Sequence, residues 1–254
     1  MDEKEAINEA FTELAPRYEK VVDNELQKFW GWSYQRFIEN LVNHTTVCNG
    51  DRILDVATGT CLIPRQLFEK NQDVSIIGID ITLAMLKNGK DKFARSALKQ
   101  QISLTTGDAM RMPLRDNSFD IVMCGLATHH MDVILLLSEM CRVLKPEGRL
   151  SMADVGGARL WRNPIIGFFI KILAYSYFLI TENKDRAWAE AMAVSNVQTS
   201  ESWRTTLAKC GFSNIEIQKL PSKSFWVPDP LLIQAIKLTN FPGEETEWQH
   251  LQNY

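Results

Sequence analysis

The chain has no CxxC pair, and its cysteines, Cys48, Cys61, Cys124, Cys141 and Cys210, fall at no metal-ligand spacing. That absence argues against a zinc ribbon or finger and predicts free thiols, mostly buried, with no metal centre. There is no basic run either. Lys and Arg number 28 against 31 Asp and Glu, so the stripe of positive charge that a nucleic-acid surface requires is missing. The opening MDEKEAINEAF is charged where a secretory leader would be apolar, which predicts a cytoplasmic protein. Internal repeats and low-complexity tracts are absent. Glycine is scarce where a dinucleotide fold most needs it: the turn after the first predicted strand holds Gly59 alone, so the G-x-G-x-x-G of nicotinamide oxidoreductases is not present.

What is there is an alternating α/β order in 254 residues, enough for one large core with appendages. Phe11, Leu14, Ala15 and Tyr18, then Phe37, Ile38, Leu41 and Val42, repeat at helical spacing and predict a helical stretch over residues 1–44. A core over 45–156 follows. It has strands at Arg52–Ala57, Val74–Ile79, Gln101–Thr105, Phe119–Cys124 and Arg149–Ala153, with helices from about Cys61, over Leu83–Ala97 and from near Asp132. Lys145-Pro146-Glu147-Gly148 reads as the stop of that last helix and the turn into the next strand. Residues 157–199 form a helical insertion in which Trp161–Ile180 is apolar nearly all round. Such a helix is buried, inserted or covering something apolar. As a membrane span it is short and carries Lys171. Residues 200–254 close the core with a helix at Ser200–Cys210 and a hairpin of strands at Ile215–Lys219 and Ser224–Val227, followed by a tail.

The chemistry concentrates between Arg52 and Asp80. A strand, a small-residue turn, a helix and a second strand ending in an acid form a mononucleotide-binding βαβ unit. Small residues let backbone N–H groups approach a ligand, and Asp80 can accept from ribose hydroxyls. Asp55 can accept from the ammonium group of an amino acid, directly or through water. An amino acid joined to a nucleoside describes S-adenosylmethionine. GIDITLAML at 78–86 puts Met85 beside the adenine, and GDAMRMPL at 107–114 puts Asp108 where it can accept from the adenine amino group.

With RVLKPEGRL at 142–150, these motifs make the chain resemble class I S-adenosylmethionine-dependent methyltransferases, nearest to the ubiquinone/menaquinone biosynthesis C-methyltransferase family. The likeness runs over about Ala10–Asp154 and more loosely over Ser200–Val227. It implies a Rossmann-like seven-stranded, mostly parallel sheet whose last strand is antiparallel, with an N-terminal helical lid and a helical insertion after the fifth strand. It also implies that Asp55, Ala57, Thr58 and Gly59 cradle the methionine part, Asp80 and Ile81 the ribose, and Asp108 and Ala109 the adenine. Met110, Gly125 and Leu126 complete the site, and Tyr18 of the lid closes over it. Substrate enters between lid and insertion.

Two positions depart from that family. Cys61 stands where a glycine is usual, either as a tolerated small residue or as a thiol activated at a helix N-terminus. After the fourth strand the family's arginine–asparagine pair is replaced by Leu126-Ala127-Thr128-His129-His130-Met131. His129 is the candidate general base or substrate orienter and His130 a second candidate, unless one packs or caps the next helix while the other touches the cofactor. Phe29, Trp30 and Trp32 either line an acceptor pocket or pack two helices together. The expected function is methyl transfer to carbon or oxygen of a small, largely apolar acceptor, aromatic, quinone-like or polyketide-like. The Trp161–Ile180 segment would serve as a cap or a dimer contact, and peripheral membrane contact is compatible with it. The rivals are a catalytically silent scaffold of the same fold, a nicotinamide oxidoreductase, and an RNA or protein methyltransferase.

Overall fold

Continuous apolar runs in the middle of the chain become strands buried on both faces, and the amphipathic segments between them become the covering helices. The computed structural model describes residues 3–93, 101–223 and 227–239. Three helices come first, α1 (Glu3–Leu14), α2 (Tyr18–Phe29) and α3 (Tyr34–His44), with Pro16 in a 3-10 turn between the first two. Then follow β1 (Arg52–Val56), α4 (Leu62–Lys70), β2 (Ser75–Asp80), α5 (Leu83–Phe93), β3 (Ile102–Thr106), β4 (Phe119–Gly125), α6 (Val133–Val143) and β5 (Leu144–Asp154). The insertion is α7 (Pro164–Thr181) and α8 (Lys184–Ala193). The chain resumes with α9 (Ser200–Lys209), β6 (Phe212–Lys219) and β7 (Leu231–Lys237).

The strands form one seven-stranded sheet in the order β3-β2-β1-β4-β5-β7-β6. All pairings are parallel except those of β7, the last strand, which runs antiparallel between β5 and β6. One core packs α3, α4 and α5 on one face, through Phe37, Ile38, Leu67 and Met85. The other packs α6 and α9 on the opposite face, through Leu136, Leu137, Met140 and Trp203. Side-chain caps fix the helix starts: Ser33 for α3, Asp132 for α6, Asn163 for α7, Asn183 for α8 and Thr199 for α9. β1 and β4 lie side by side while β1 connects onward through β2 and β4 through β5. The crevice beyond their C-terminal ends is therefore the switch point where such sheets bind ligands.

The structure corrects several expectations. The strand expected at Ser224–Val227 is not the hairpin partner. Residues 224–226 lie outside the described ones, and the partner of β6 is β7, which was missed because LLIQAIK follows a proline-rich stretch. Residues 94–97 of the helix expected to reach Ala97 also lie outside. The helix α6 ends at Val143, before Lys145-Pro146-Glu147-Gly148. Leu144 pairs with Phe119 and Arg149 with Ile121, so that tetrapeptide loops out as an irregularity within β5, with Glu147 at φ 62°. Asp132, not a histidine, caps α6: its Oδ1 accepts from the N–H groups of Ile134 and Leu135.

Candidate active site

The turn leaving β1 is built on left-handed residues: Ala57, Gly59 and Cys61 have φ of 54°, 53° and 61°. Two of them carry a Cβ, and backbone strain of this kind collects at ligand sites. The Thr58 N–H donates to the Ile79 carbonyl at 3.0 Å, and the Gly59 N–H donates to Oδ2 of Asp80 at 2.8 Å, which locks the turn onto the end of β2. Gly78 permits the approach, because a Cβ there would lie 2.9 Å from the Thr58 side chain. Beneath the turn Asp55 is 1% exposed. Its Oδ2 accepts from the Thr58 hydroxyl at 2.5 Å, and its Oδ1 has no partner. Burial raises the Asp55 carboxyl to about 8, with the charge of Asp80 adding and the Thr58 hydrogen bond opposing.

A slot of about 90 Å³ opens beside this turn. Of the residues expected to bind cofactor, Tyr18, Ala57, Gly59, Asp80, Ile81, Met85, Asp108, Ala109, Met110, Gly125 and Leu126 line it. Asp55 and Thr58 do not; they stand buried behind the turn. An unpartnered buried acceptor, an acid at the strand end and apolar walls from Ile81 and Met85 fit S-adenosylmethionine, with its ammonium group, its ribose and its flat ring. Lys4 and Phe11 of α1 also line the slot, and the Lys4 ammonium sits 2.7 Å from Oδ2 of Asp108. That contact was not legible in the sequence, since the spacing between the two carries no pattern.

Cys61 is neither activated nor in the slot. Its sulfur packs over α5, where a Cβ on Gly89 would come within 2.5 Å of it. Burial, reinforced by Asp55, pushes the thiol up to about 12, the reverse of the helix-terminus expectation. A closed-off slot, the basis of the silent-scaffold rival, therefore finds no support at this residue.

A second cavity, of about 540 Å³, lies under the insertion. Phe29, Trp30, Trp161, Ile170, Tyr177 and Phe178 give it apolar walls, so Phe29 and Trp30 face the cavity, whereas half-buried Trp32 packs against the core and donates to the Pro221 carbonyl at 2.8 Å. Its polar end holds Glu25, His129, His130, Arg186 and Glu190. Phe11, Tyr18, Leu126 and His130 line both cavities, so the two meet across these four side chains. Leu126 is itself held at φ 55°.

The 3-10 turn Thr128–His130 presents the two histidines differently. His129 Nδ1 lies 2.7 Å from Oδ1 of Asp154, at the end of β5, and that carboxylate also accepts from the Thr128 hydroxyl and the Val155 N–H. Burial alone would lower the His129 pKa, but the charge and hydrogen bond of Asp154 outweigh it and raise the value. His130 is held well below the usual histidine range by burial, then by His129 and Arg186. Its Nδ1 has no partner, and its Nε2 is 3.6 Å from Glu190. Arg186 is 5% exposed, with its guanidinium 5.2 Å from the Phe11 ring and 5.5 Å from the Phe178 ring. Its Nη2 meets Glu190 at 2.8 Å and Glu25 at 3.4 Å. His129, His130 and Glu190 place one ligand atom each within 4.8 Å of one another, but Arg186 already supplies the cation there.

Asp154, Glu25, Arg186 and Glu190 escaped the sequence reading. Asp154 had a signal, an acid ending an apolar strand as Asp80 does. The other three lie in charged helical stretches where nothing separates a buried charge from a solvated one.

Comparison with known proteins agrees with this geometry. Residues 54–152 match a family described as a methyltransferase domain. Over 219 residues the chain is 29% identical to the ubiquinone/menaquinone biosynthesis C-methyltransferase UbiE of Geotalea daltonii, covering 84% of this chain and 90% of that protein. It is 37% identical over 151 residues to the demethylmenaquinone methyltransferase of Symbiobacterium thermophilum, covering 58% of this chain and 59% of that one. Among solved structures, the YcgJ protein from Bacillus subtilis matches with a TM-score of 0.62 at 18% identity, over 82% of this chain and 100% of that one.

Proposed function

The chain is a class I S-adenosylmethionine-dependent methyltransferase, and on that premise we propose that it methylates a carbon or oxygen of a small, largely apolar, aromatic or quinone-like acceptor held in the larger cavity. The observation that carries this reading is the junction of the two cavities at Phe11, Tyr18, Leu126 and His130, with the His129–Asp154 pair beside it. When bound, the cofactor would supply a sulfonium methyl group, to which the acceptor's carbon or oxygen bonds in line as the carbon–sulfur bond breaks and the neutral thioether leaves. Alignment is therefore most of the catalytic task, and proton removal from the acceptor is the rest.

Asp80 would hold the ribose hydroxyls of the bound cofactor, and Asp55, buried behind the turn with Oδ1 unpartnered, would offset the charge of its ammonium group. Tyr18 and Phe11 close the slot from the lid and exclude water at the junction. His129, oriented by Asp154 so that Nε2 is the free nitrogen, takes the acceptor's proton as carbon or oxygen attacks. Asp154 holds the ring and stabilises the imidazolium that results. His130 stays neutral and positions the acceptor. Arg186 faces acceptor oxygen from the insertion, where its Nε and Nη1 have no partner. The relatives named for quinone methylation and the aromatic walls of the cavity both support a ring acceptor.

Incubation with radiolabelled S-adenosylmethionine and a panel of phenols, naphthols and reduced quinones tests this reading. Label should enter aromatic hydroxyl or ring-carbon acceptors, and His129→Ala should remove turnover while leaving S-adenosylhomocysteine affinity intact. Transfer only to amines, or full turnover by His129→Ala, would contradict it.

A further inference from the structure

The helix α7 is 18 residues long, and none of them is buried. Along one side Ile165, Phe168, Phe169, Ile172 and Leu173 are 68%, 60%, 60%, 45% and 69% exposed, and Ile180 reaches 84%. From Ile165 to Leu173 this face is wholly apolar, and Ser176 separates it from Ile180; an exposed apolar face of this length marks an interaction site. The opposite side of the same helix walls the acceptor cavity through Ile170, Ala174, Tyr177 and Phe178.

We propose that α7 docks this protein on an anionic lipid bilayer, lying in the plane of the interface with the mouth of the acceptor cavity turned toward the lipid. Three observations choose a bilayer over a second copy of the chain. Leu173 both lines the cavity and is 69% exposed, so the cavity reaches the surface on the apolar face itself, where an isologous partner would seal it. Residues 159–185, around the helix, carry Arg159, Arg162, Lys171 and Lys184 against the two acids Glu182 and Asp185, in a chain whose net charge is −3. Glu182 is already engaged by Arg17, so the excess is positive, suiting anionic headgroups and disfavouring the same rim on a second copy.

The geometry also separates docking from spanning. Composition alone would let α7 cross a membrane. Both flanks, however, are tied to one body: before the helix the Gly157 N–H donates to the Gln198 carbonyl at 2.9 Å, and Asn183 just past the end donates to Glu13 at 2.7 Å. Tyr177 in its inner face is 3.1 Å from the Lys28 ammonium. A helix fixed at both ends and along one side immerses only its outer face, by about 5–10 Å.

Flotation of the full chain with vesicles tests the proposal without reference to catalysis. Vesicles would be phosphatidylcholine alone, or phosphatidylcholine and phosphatidylglycerol two to one. The wild type should float with the anionic vesicles and weaken with salt. Phe168→Asn/Phe169→Asn/Ile172→Asn should bind at least about tenfold less, with S-adenosylhomocysteine affinity unchanged as evidence of folding. Wild-type protein that stays in the aqueous fraction with both vesicle types would overturn the proposal. If sedimentation then shows a dimer that the triple variant loses, the apolar face belongs to a second copy.

Discussion

His129 Nδ1 and Asp154 Oδ1 stand 2.7 Å apart at the C-terminal ends of neighbouring strands, one just past β4 and the other ending β5. Because the pair raises the His129 pKa above its ordinary 6.5, the acidic limb of kcat/KM for the acceptor should lie above that value. Asp154→Asn should move the limb to lower pH and lower the plateau. A limb unmoved by the substitution would remove His129 from proton transfer. The linkage to stability has the opposite sense for the two partners. The raised histidine contributes stability that is lost as pH rises through its folded value, and the lowered Asp154 contributes stability lost as pH falls through its own. The pair therefore stabilises most between the ordinary values of 3.8 and 6.5, and Asp154→Asn should lower Tm most in that window and flatten the fall on either side of it.

On the proposed role of Asp55, cofactor binding should be proton-linked, because burial raises its carboxyl to about 8 before an ammonium group is there to stabilise the charge. Titration with S-adenosylhomocysteine at pH 7, in buffers of different ionisation enthalpy, should show release of about one proton. Asp55→Asn should abolish the release and weaken binding. The ligand-free protein should lose stability as pH rises through 8, since a raised folded pKa favours the native state only below it. Binding without proton release would place the ammonium elsewhere.

Cys61 and Gly89 are coupled by contact. Gly89→Ala would put a Cβ 2.5 Å from the Cys61 sulfur and 3.0 Å from the Thr60 backbone. The overpacking should cost about 1–3 kcal/mol despite the better helix propensity of alanine. Adding Cys61→Gly, which relieves the sulfur contact at a left-handed position, should recover part of the loss in a denaturant-melt double-mutant cycle. Additive effects would mean that the two side chains do not meet. In the native protein Cys48 should react first with a thiol reagent, because Cys61, Cys124 and Cys210 are buried.

Arg186 ties the insertion to the N-terminal helices. Replacing it with Met leaves Glu25 and Glu190 buried without their cation and should destabilise the chain by about 3 kcal/mol. The loss should shrink as pH falls and Glu25, already raised to about 7 mainly by burial, takes up a proton. A loss independent of pH would assign Arg186 to packing between Phe11 and Phe178.

How much was legible in the sequence follows from where the information lies. The cofactor half is local: β1, its turn and the acid ending β2 are contiguous, and apolar runs mark central strands, so Asp80 could be placed by spacing, and Met85 and Asp108 by the short motifs that carry the family resemblance. The acceptor half is assembled from α1, α2, α7 and α8, whose contacts are long-range and follow no motif. Arg186 meets Glu25 across 161 positions, and its helix reads as an ordinary solvated one. Asp55 was recognised, but its place behind the turn was not, because strand alternation does not say which side the ligand takes. The outcome at Cys61 turned on burial, which overrides the helix-terminus effect and is not written in a single residue type.

The most direct measurement is calorimetric titration of the full chain and its Asp80→Asn variant with S-adenosylhomocysteine. The slot beside Asp80 should bind the ligand with micromolar affinity, and the variant should bind about 10- to 100-fold more weakly, as expected for lost hydrogen bonds to a charged group. Absence of binding by the wild type, or equal affinity in the two proteins, would contradict the assignment of this slot to the cofactor.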